Sequence, residues 1–504
     1  MARIVIIGAG MSGLAAASRL ATLGHKVTVC EARDTYGGMV GRYERDGFAF
    51  DTGPGLLTLP AVYRDLALKT GREPLEELVR LRPVDPESRH LFPDGTAVSL
   101  PNASRGGVVQ ALDEAFGPGS GERWATVLNH GRTVWEATRR PLLEEPLPAD
   151  PTALHTDPYP LPGGAAPARR GLFGRRRAPR RWTLADVAAE ELGGHPGLTA
   201  LLHEHALRFG LDPRTAPAGA TVLPYMEQSF GVWYVEGGLR ALADAFFRRC
   251  EQRKVEFRFG TPVARVVVED GRVTGVQTKG DRIDADLVVS SIDARVLHTQ
   301  WMGPAESSDE WPASASRLHG VPGRVAVLLA LRGERPEGTA HRTVVHAADP
   351  AAELAGVFDP GVPLDDRPTV QVLRPDDPSL HPAGHEAVVL TATTPSLDLD
   401  WGVPGVPEAF ADRMLDRVDA AGLGLRERML WRVVRTPEHT ERETGSFFGS
   451  VPPPALAGLD GDLLQAPNED YPGLYLTGGA AHPGGGLARV GMSACIVANL
   501  IGPA

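Results

Sequence analysis

The chain has 504 residues, room for two or three domains at about 150 residues each. Its 42% hydrophobic and 23% charged residues are ordinary globular proportions, and 58 glycines with 44 prolines fall short of a low-complexity chain, which excludes collagenous and wholly disordered states. A net charge of -11, from 52 basic and 63 acidic residues, argues against whole-molecule nucleic-acid binding. Three cysteines, Cys30, Cys250 and Cys495, with no CxxC pair, give neither a disulfide framework nor a thiolate metal site.

No apolar run approaches the roughly 18 residues of a membrane-spanning helix, and stretches such as Val325 to Leu331 are strand-sized. Ile4 to Ile7 leads straight into a glycine pattern rather than a signal peptide. The expectation is a cytoplasmic protein without a metal.

Residues 3–31 read as one βαβ unit. Arg3 to Gly8 is a short buried strand, Met11 to Leu23 has helical apolar spacing, Gly24 stands where a helix C-cap belongs, and Lys26 to Glu31 is a second strand. Between strand and helix, Gly8-Ala9-Gly10-Met11-Ser12-Gly13 allows a tight turn that brings backbone N–H groups close to a pyrophosphate at the helix N-terminus. Glu31, eighteen residues beyond Gly13, suits a ribose 2′-hydroxyl. An acid there favours FAD or NAD over the 2′-phosphate of NADP.

Further along, residues 141–181 are rich in proline, and Arg169, Arg170, Arg175, Arg176, Arg177, Arg180 and Arg181 surround Leu172-Phe173. The readings are a solvated insertion, a peripheral membrane contact over residues 165–182 with Leu172, Phe173 and Trp182 dipping into the interface, and, behind both given the acidic chain and the lack of interleaved aromatics, nucleic acid. Gly238 to Arg249 has amphipathic helical spacing, Val263 to Gln277 reads as a hairpin turning at Asp270-Gly271, and Asp286 to Ser291 is a buried strand. About 130 residues of mixed strand-like and proline-rich pieces follow. Gly473 to Gly479 and Gly491 to Leu500 then read as strand, glycine-rich connection and helix.

Several spaced motifs together resemble the phytoene-desaturase-like (carotenoid desaturase) branch of the FAD-dependent amine-oxidase superfamily. They are the N-terminal glycine unit with Glu31; Tyr36-Gly37-Gly38 with Arg42; Gly47 to Pro54; Gly231 to Gly238; Ala285 to Ser290; and Gly473 to Gly478 leading into His482-Pro483-Gly484-Gly485-Gly486. The resemblance implies FAD as cofactor and an α/β, glutathione-reductase-like fold. Its FAD-binding Rossmann domain is assembled from the non-contiguous segments 1–80, 231–297 and 441–504, with an inserted α+β substrate domain from 81–230 and 298–440. It implies cofactor contacts from Gly8, Gly10, Met11, Ser12, Gly13, Glu31, Ala32, Gly38, Arg42, Gly53, Pro54, Val263, Gly478, Gly479, Val490 and Gly491.

Two departures stand out: Met39 where the family commonly has arginine after the Gly-Gly pair, and Ala488-Arg489 where many carotenoid desaturases read Pro-Gly. The implied activity is desaturation of a hydrophobic isoprenoid or polyene, with hydride passing to flavin N5. Arg489, His482 and Asp186 are the candidate catalytic residues; the alternatives are that Arg489 pairs with flavin oxygens or a neighbouring carboxylate, that His482 orients its loop and that Asp186 is a carboxylate at a helix N-terminus. The same flavin chemistry on a polyketide-like intermediate, polyene isomerisation without net oxidation, and a non-enzymatic polyene carrier are the alternatives.

Overall fold

Residues 1–161, 181–298, 322–397 and 399–504 are described by the computed structural model. Strands Arg3–Ile7 and Lys26–Cys30 are four-fifths buried and pair in parallel, with helix Met11–Thr22 crossing between them. Gly24 follows the helix at φ +98°, a conformation that costs a residue without a Cβ little. Three distant segments extend this sheet in parallel: Glu256–Arg258 beside Lys26–Cys30, Leu287–Ser290 beside Arg3–Ile7, and Leu474–Leu476 beyond it. Glu469–Tyr471 closes the edge antiparallel. Helices Arg240–Gln252 and Leu487–Ile501 pack with the first helix on this sheet through Leu14, Leu20, Phe246 and Val497.

The expected hairpin is Val263–Glu269 paired with Arg272–Thr278, and both turn residues have positive φ, Asp270 at 50° and Gly271 at 73°. The last helix starts at Leu487, four residues before the sequence reading. Gly491 therefore lies inside it, where a Cβ would sit 3.0 Å from Val62 Cγ1 and 3.2 Å from the Tyr63 ring.

A second sheet of seven strands runs in the order Met429–Arg435, Pro322–Arg332, His385–Pro395, Val370–Leu373, Arg342–Val345, Ser88–Leu91 and Ala97–Leu100. Period-two alternation divides the longest of these. Val325, Val327, Leu329 and Leu331 meet Phe410 and Met414 of helix Val406–Ala420, while Leu328 and Ala330 meet Phe48 and Phe50. Helices Arg105–Phe116, Ser120–Arg139, Leu184–Glu190, Pro196–Arg208 and Val222–Phe230 form a separate layer around Trp124, Leu201, Leu202 and Leu223.

Of the membrane-contact segment, only Arg181 and Trp182 lie among the described residues. Arg181 pairs with Asp460. Trp182 packs against the helical layer, and its carbonyl accepts from the Ala218 N–H at 2.9 Å. Trp182 is thus partly buried against the protein. Among the described residues no helix is long and apolar enough to cross a membrane.

Candidate functional site

The strand Arg3–Ile7 ends at Gly8, whose φ of +95° and whose Cβ position, 2.5 Å from Ser291 Oγ, exclude a side chain. Ser291 donates from that hydroxyl to the Ile7 carbonyl at 2.8 Å, pinning the turn from a segment almost 300 residues away. At Gly13 a Cβ would lie 2.1 Å from the Gly8 oxygen. The helix that follows has Gly10 at its N-cap and no side-chain cap, which leaves its first N–H groups and the positive end of its dipole to whatever fills the turn. Glu31 leaves the end of the second strand, and its carboxylate accepts from the Ala9 N–H at 2.7 Å and the Arg33 N–H at 2.9 Å.

The other end of the chain supplies a matching device. Helix Leu487–Ile501 starts at Gly486, φ +105°, again without a side-chain cap. A Cβ on Gly478 would come 3.2 Å from Ser12 Oγ, so the two glycine connections meet. Between them a cavity of about 520 Å³ runs from Glu31 past both helix starts to the seven-stranded sheet and the helical layer. Gly8, Gly10, Met11, Ser12, Glu31, Ala32, Gly38, Gly53, Pro54, Val263, Gly478, Gly479 and Val490 line it, as does Arg489.

Gly13, Arg42 and Gly491 do not line it. Gly13 closes the turn from behind, Gly491 packs one helix on another, and Arg42 pairs with Glu44 at 2.8 Å on the strand Arg42–Arg45. Met39 does line the cavity, and its carbonyl would be 1.9 Å from a Cβ on Gly53. A gorge edged by glycines that admit no Cβ and by two uncapped helix starts fits a dinucleotide.

The family model for flavin containing amine oxidoreductases matches residues 11–502. The chain belongs to that family. FAD is accordingly its cofactor. The chain is 28% identical to the 4,4'-diapolycopene oxygenase of Methylomonas sp over 510 residues, 99% of this chain and 98% of that protein. It is 29% identical to the all-trans-zeta-carotene desaturase of Myxococcus xanthus over 515 residues, covering 99% and 93%. Its fold is that of an oxidoreductase from Methanosarcina mazei (TM-score 0.63, 16% identity, 99% and 100% covered) and of the cyclohexylamine oxidase from Brevibacterium oxydans (TM-score 0.60, 16%, 99% of each).

In this flavin oxidoreductase two of the three candidate catalytic residues stand away from the cleft. Asp186 belongs to a capping box: Thr183 Oγ1 accepts from its N–H, and its carboxylate accepts from the Thr183 N–H at 2.9 Å. His482 is fully buried, with Nε2 3.0 Å from the Glu145 carbonyl, and burial draws the ring's pKa down to about 4. It stays neutral and orients its loop. Arg489 reaches the cleft: it is 8% exposed, its guanidinium lies 3.6 Å from Met226 Sδ, and burial lowers its pKa to about 10. Glu236 pairs with Arg80 and Arg82 and faces away from the cavity.

Sequence reasoning missed much of the far wall. Arg324 and Ala326 line the cleft from the strand Pro322–Arg332, two apart, a period-two signal that was present in the sequence. Arg208, Phe209, Met226 and Arg342 come from elsewhere, and only the fold gathers them. Arg208 is held by Glu204 at 3.3 Å and Glu227 at 2.9 Å, and Arg342 by Glu227 at 2.5 Å. Beside them Glu87 is buried next to Glu227, and desolvation with that like charge raises its carboxyl well above the usual range. Asp51, in the Phe50-Asp51-Thr52-Gly53-Pro54 motif, accepts from the Leu239 N–H at 2.9 Å and the Arg240 N–H at 3.3 Å, tying the Gly53 loop to the start of helix Arg240–Gln252.

Proposed function

We propose that this protein is an FAD-dependent desaturase of an apolar isoprenoid polyene. The observation that carries the reading is one continuous cleft that begins at the dinucleotide turn and ends on an apolar wall with Leu56, Phe209, Met226, Val232 and Leu373. Relatives named for 4,4'-diapolycopene oxygenation and zeta-carotene desaturation match almost the whole chain, which supports a substrate of that class.

FAD is to be held by the Gly8–Gly13 turn, Glu31 and the glycine connection at Gly478 and Gly479. When bound, it supplies a two-electron oxidant that takes hydride from the substrate. The protein's own part is positional. The apolar wall aligns the chain and keeps water out, and the uncapped start of helix Leu487–Ile501 offers N–H groups and a positive dipole to developing negative charge. Among the described residues the carboxylates lining the cleft, Glu31 and Glu443, are engaged, Glu31 by backbone N–H groups and Glu443 by Arg435 at 2.5 Å. Conjugation activates the allylic C–H bonds, so the reaction does not demand a strong protein base in the cleft.

The sheet on Arg3–Ile7 draws strands from residues 3–30, 256–258, 287–290 and 469–476, and the seven-stranded sheet from 88–100 and 322–435. That division supports an FAD domain built from segments 1–80, 231–297 and 441–504 around an inserted α+β substrate domain. An apolar polyene is held in bilayers, which supports peripheral contact with a membrane. Liposome co-sedimentation without residues 165–181 tests whether that segment carries the contact, and unchanged sedimentation removes it.

Anaerobic titration of the purified flavoprotein with a hydrocarbon polyene tests the activity. Bleaching of the oxidised-flavin band with a matching gain of conjugation in the product is expected. An unbleached band with every polyene added would sink the reading.

A further inference from the structure

Two cations in the cleft wall form no ion pair among the described residues, and Glu204 acts on Arg324 only from beyond ion-pair distance. Arg489 stands in the first turn of helix Leu487–Ile501, 8% exposed, and its recorded polar contact is Met226 Sδ at 3.6 Å. Arg324, on the strand Pro322–Arg332, donates from Nη2 to the Arg208 carbonyl at 2.7 Å. Burial lowers both guanidinium groups to about 10, so both remain charged at neutral pH.

The other arginines of the wall are provided for. Arg208 has Glu204 and Glu227, Arg342 has Glu227, Arg435 and Arg33 share Glu443, and Arg442 is exposed to solvent. A buried charge without a partner is expensive, and a cation in the first turn of a helix also opposes the dipole. The fold thus gains nothing from Arg489 where it stands. The two unmatched cations flank one corner: a Cβ at Gly486 would lie 3.6 Å from the Phe209 ring and 3.7 Å from Arg489 Nη1, and Phe209 follows the residue whose carbonyl holds Arg324.

We propose that the substrate carries an anionic oxygen terminus, a carboxylate at one end of the polyene, received between Arg489 and Arg324 beside Phe209. This rests on the polyene reading and narrows it to an already oxidised chain. A carboxylate there supplies the missing counter-charge, while the apolar wall takes the remainder.

The test uses the holoenzyme and two probes of one shape, all-trans-retinoic acid and its methyl ester, with binding followed through the flavin spectrum at pH 8. The wild-type protein is expected to bind the acid about tenfold or more tighter than the ester, as a desolvated charge pair gives. In Arg489→Met, chosen to pack against Met226, the ratio is expected to fall towards one, and in Arg324→Gln to fall part of the way. Arg489→Lys keeps the charge and is expected to keep most of the preference. Flavin content and Tm are measured on each variant. Equal binding of acid and ester by the wild-type protein overturns the inference and leaves the polyene reading standing, whereas binding of neither overturns both. Loss of flavin from Arg489→Met makes the cofactor its counter-ion and overturns the inference as well.

Discussion

Gly10 and Gly13 stand three positions apart in one turn, yet they fail differently when a methyl is added. At Gly13 the methyl meets the Gly8 oxygen at 2.1 Å, whereas at Gly10 it meets the Gly38 Cα at 3.8 Å, ordinary contact. Gly13→Ala is expected to destabilise the flavin-free protein itself, by about 1 to 3 kcal/mol, as overpacking does. Gly10→Ala is expected to leave the flavin-free Tm in place and weaken flavin retention. Thermal melts of stripped protein and flavin-to-protein ratios after gel filtration separate the two, and an equal loss of Tm would refute the distinction. His482 makes a prediction in pH. Its pKa falls from 6.5 in the unfolded chain to about 4 in the fold, so the unfolded state binds the extra proton between those values. Stability is whole above about pH 6.5 and is lost as pH falls through 4. His482→Gln, which can still donate to the Glu145 carbonyl, is expected to make the fall of Tm with acidity shallower by one proton's worth. The turn glycines and Glu31 were legible because their neighbours in sequence are their neighbours in space. Asp51 was not, because nothing local in its motif brings it to the N–H groups of Leu239 and Arg240.

At the scale of elements, the segment Thr183-Leu184-Ala185-Asp186 carried its meaning openly, as a hydroxyl followed by an acid three residues on. The desaturase pattern offers Asp186 as a base with a helix-start carboxylate as the alternative, and the capping box at the start of helix Leu184–Glu190 favours the alternative. Asp186→Ala is expected to lower stability by about 0.3 to 1 kcal/mol while turnover per folded flavoprotein stays unchanged. A fall in turnover at unchanged Tm would restore the catalytic role. The sequence pattern reads the last helix from Gly491 at the end of a glycine-rich connection, whereas it starts at Leu487. Gly491 marks close packing on Tyr63, information that resides in another helix. The far wall of the cleft was hidden for a similar reason. Arg324 and Ala326 alternate visibly, but which face of a strand looks on a cavity depends on sheets and helices paired across the chain.

Across the whole molecule, the cleft is walled by residues from the first 60 positions, from near 210, 263, 291 and 324, and from the last 30. A ligand that bridges so many segments binds the folded state alone, and FAD at a hundred times its Kd is expected to add about 2.7 kcal/mol. Calorimetry of stripped and reconstituted protein checks this, with a higher Tm on reconstitution, and coincident transitions would count against a cofactor held by the assembled cleft. The βαβ beginning of this design was plain in the sequence. The seven-stranded sheet and the helical layer were not, because their signals are short strands and helices whose partners lie far along the chain.

The pairing of Arg3–Ile7 with Leu287–Ser290 also sets an order of events during synthesis. The first strand emerges with one edge bare, and its neighbour on that side follows some 283 residues later (Ile7 to Ser290), an interval of roughly 15 to 60 s at ribosomal rates. The glycine turn stays unpinned for the same interval, since the hydroxyl that fixes it belongs to Ser291. For that time a strand with four of its five residues buried in the fold is open to pairing with a neighbouring nascent chain. Yield in a heterologous host should therefore respond to translation speed and chaperone supply over the first three hundred codons more than to any substitution in the cleft.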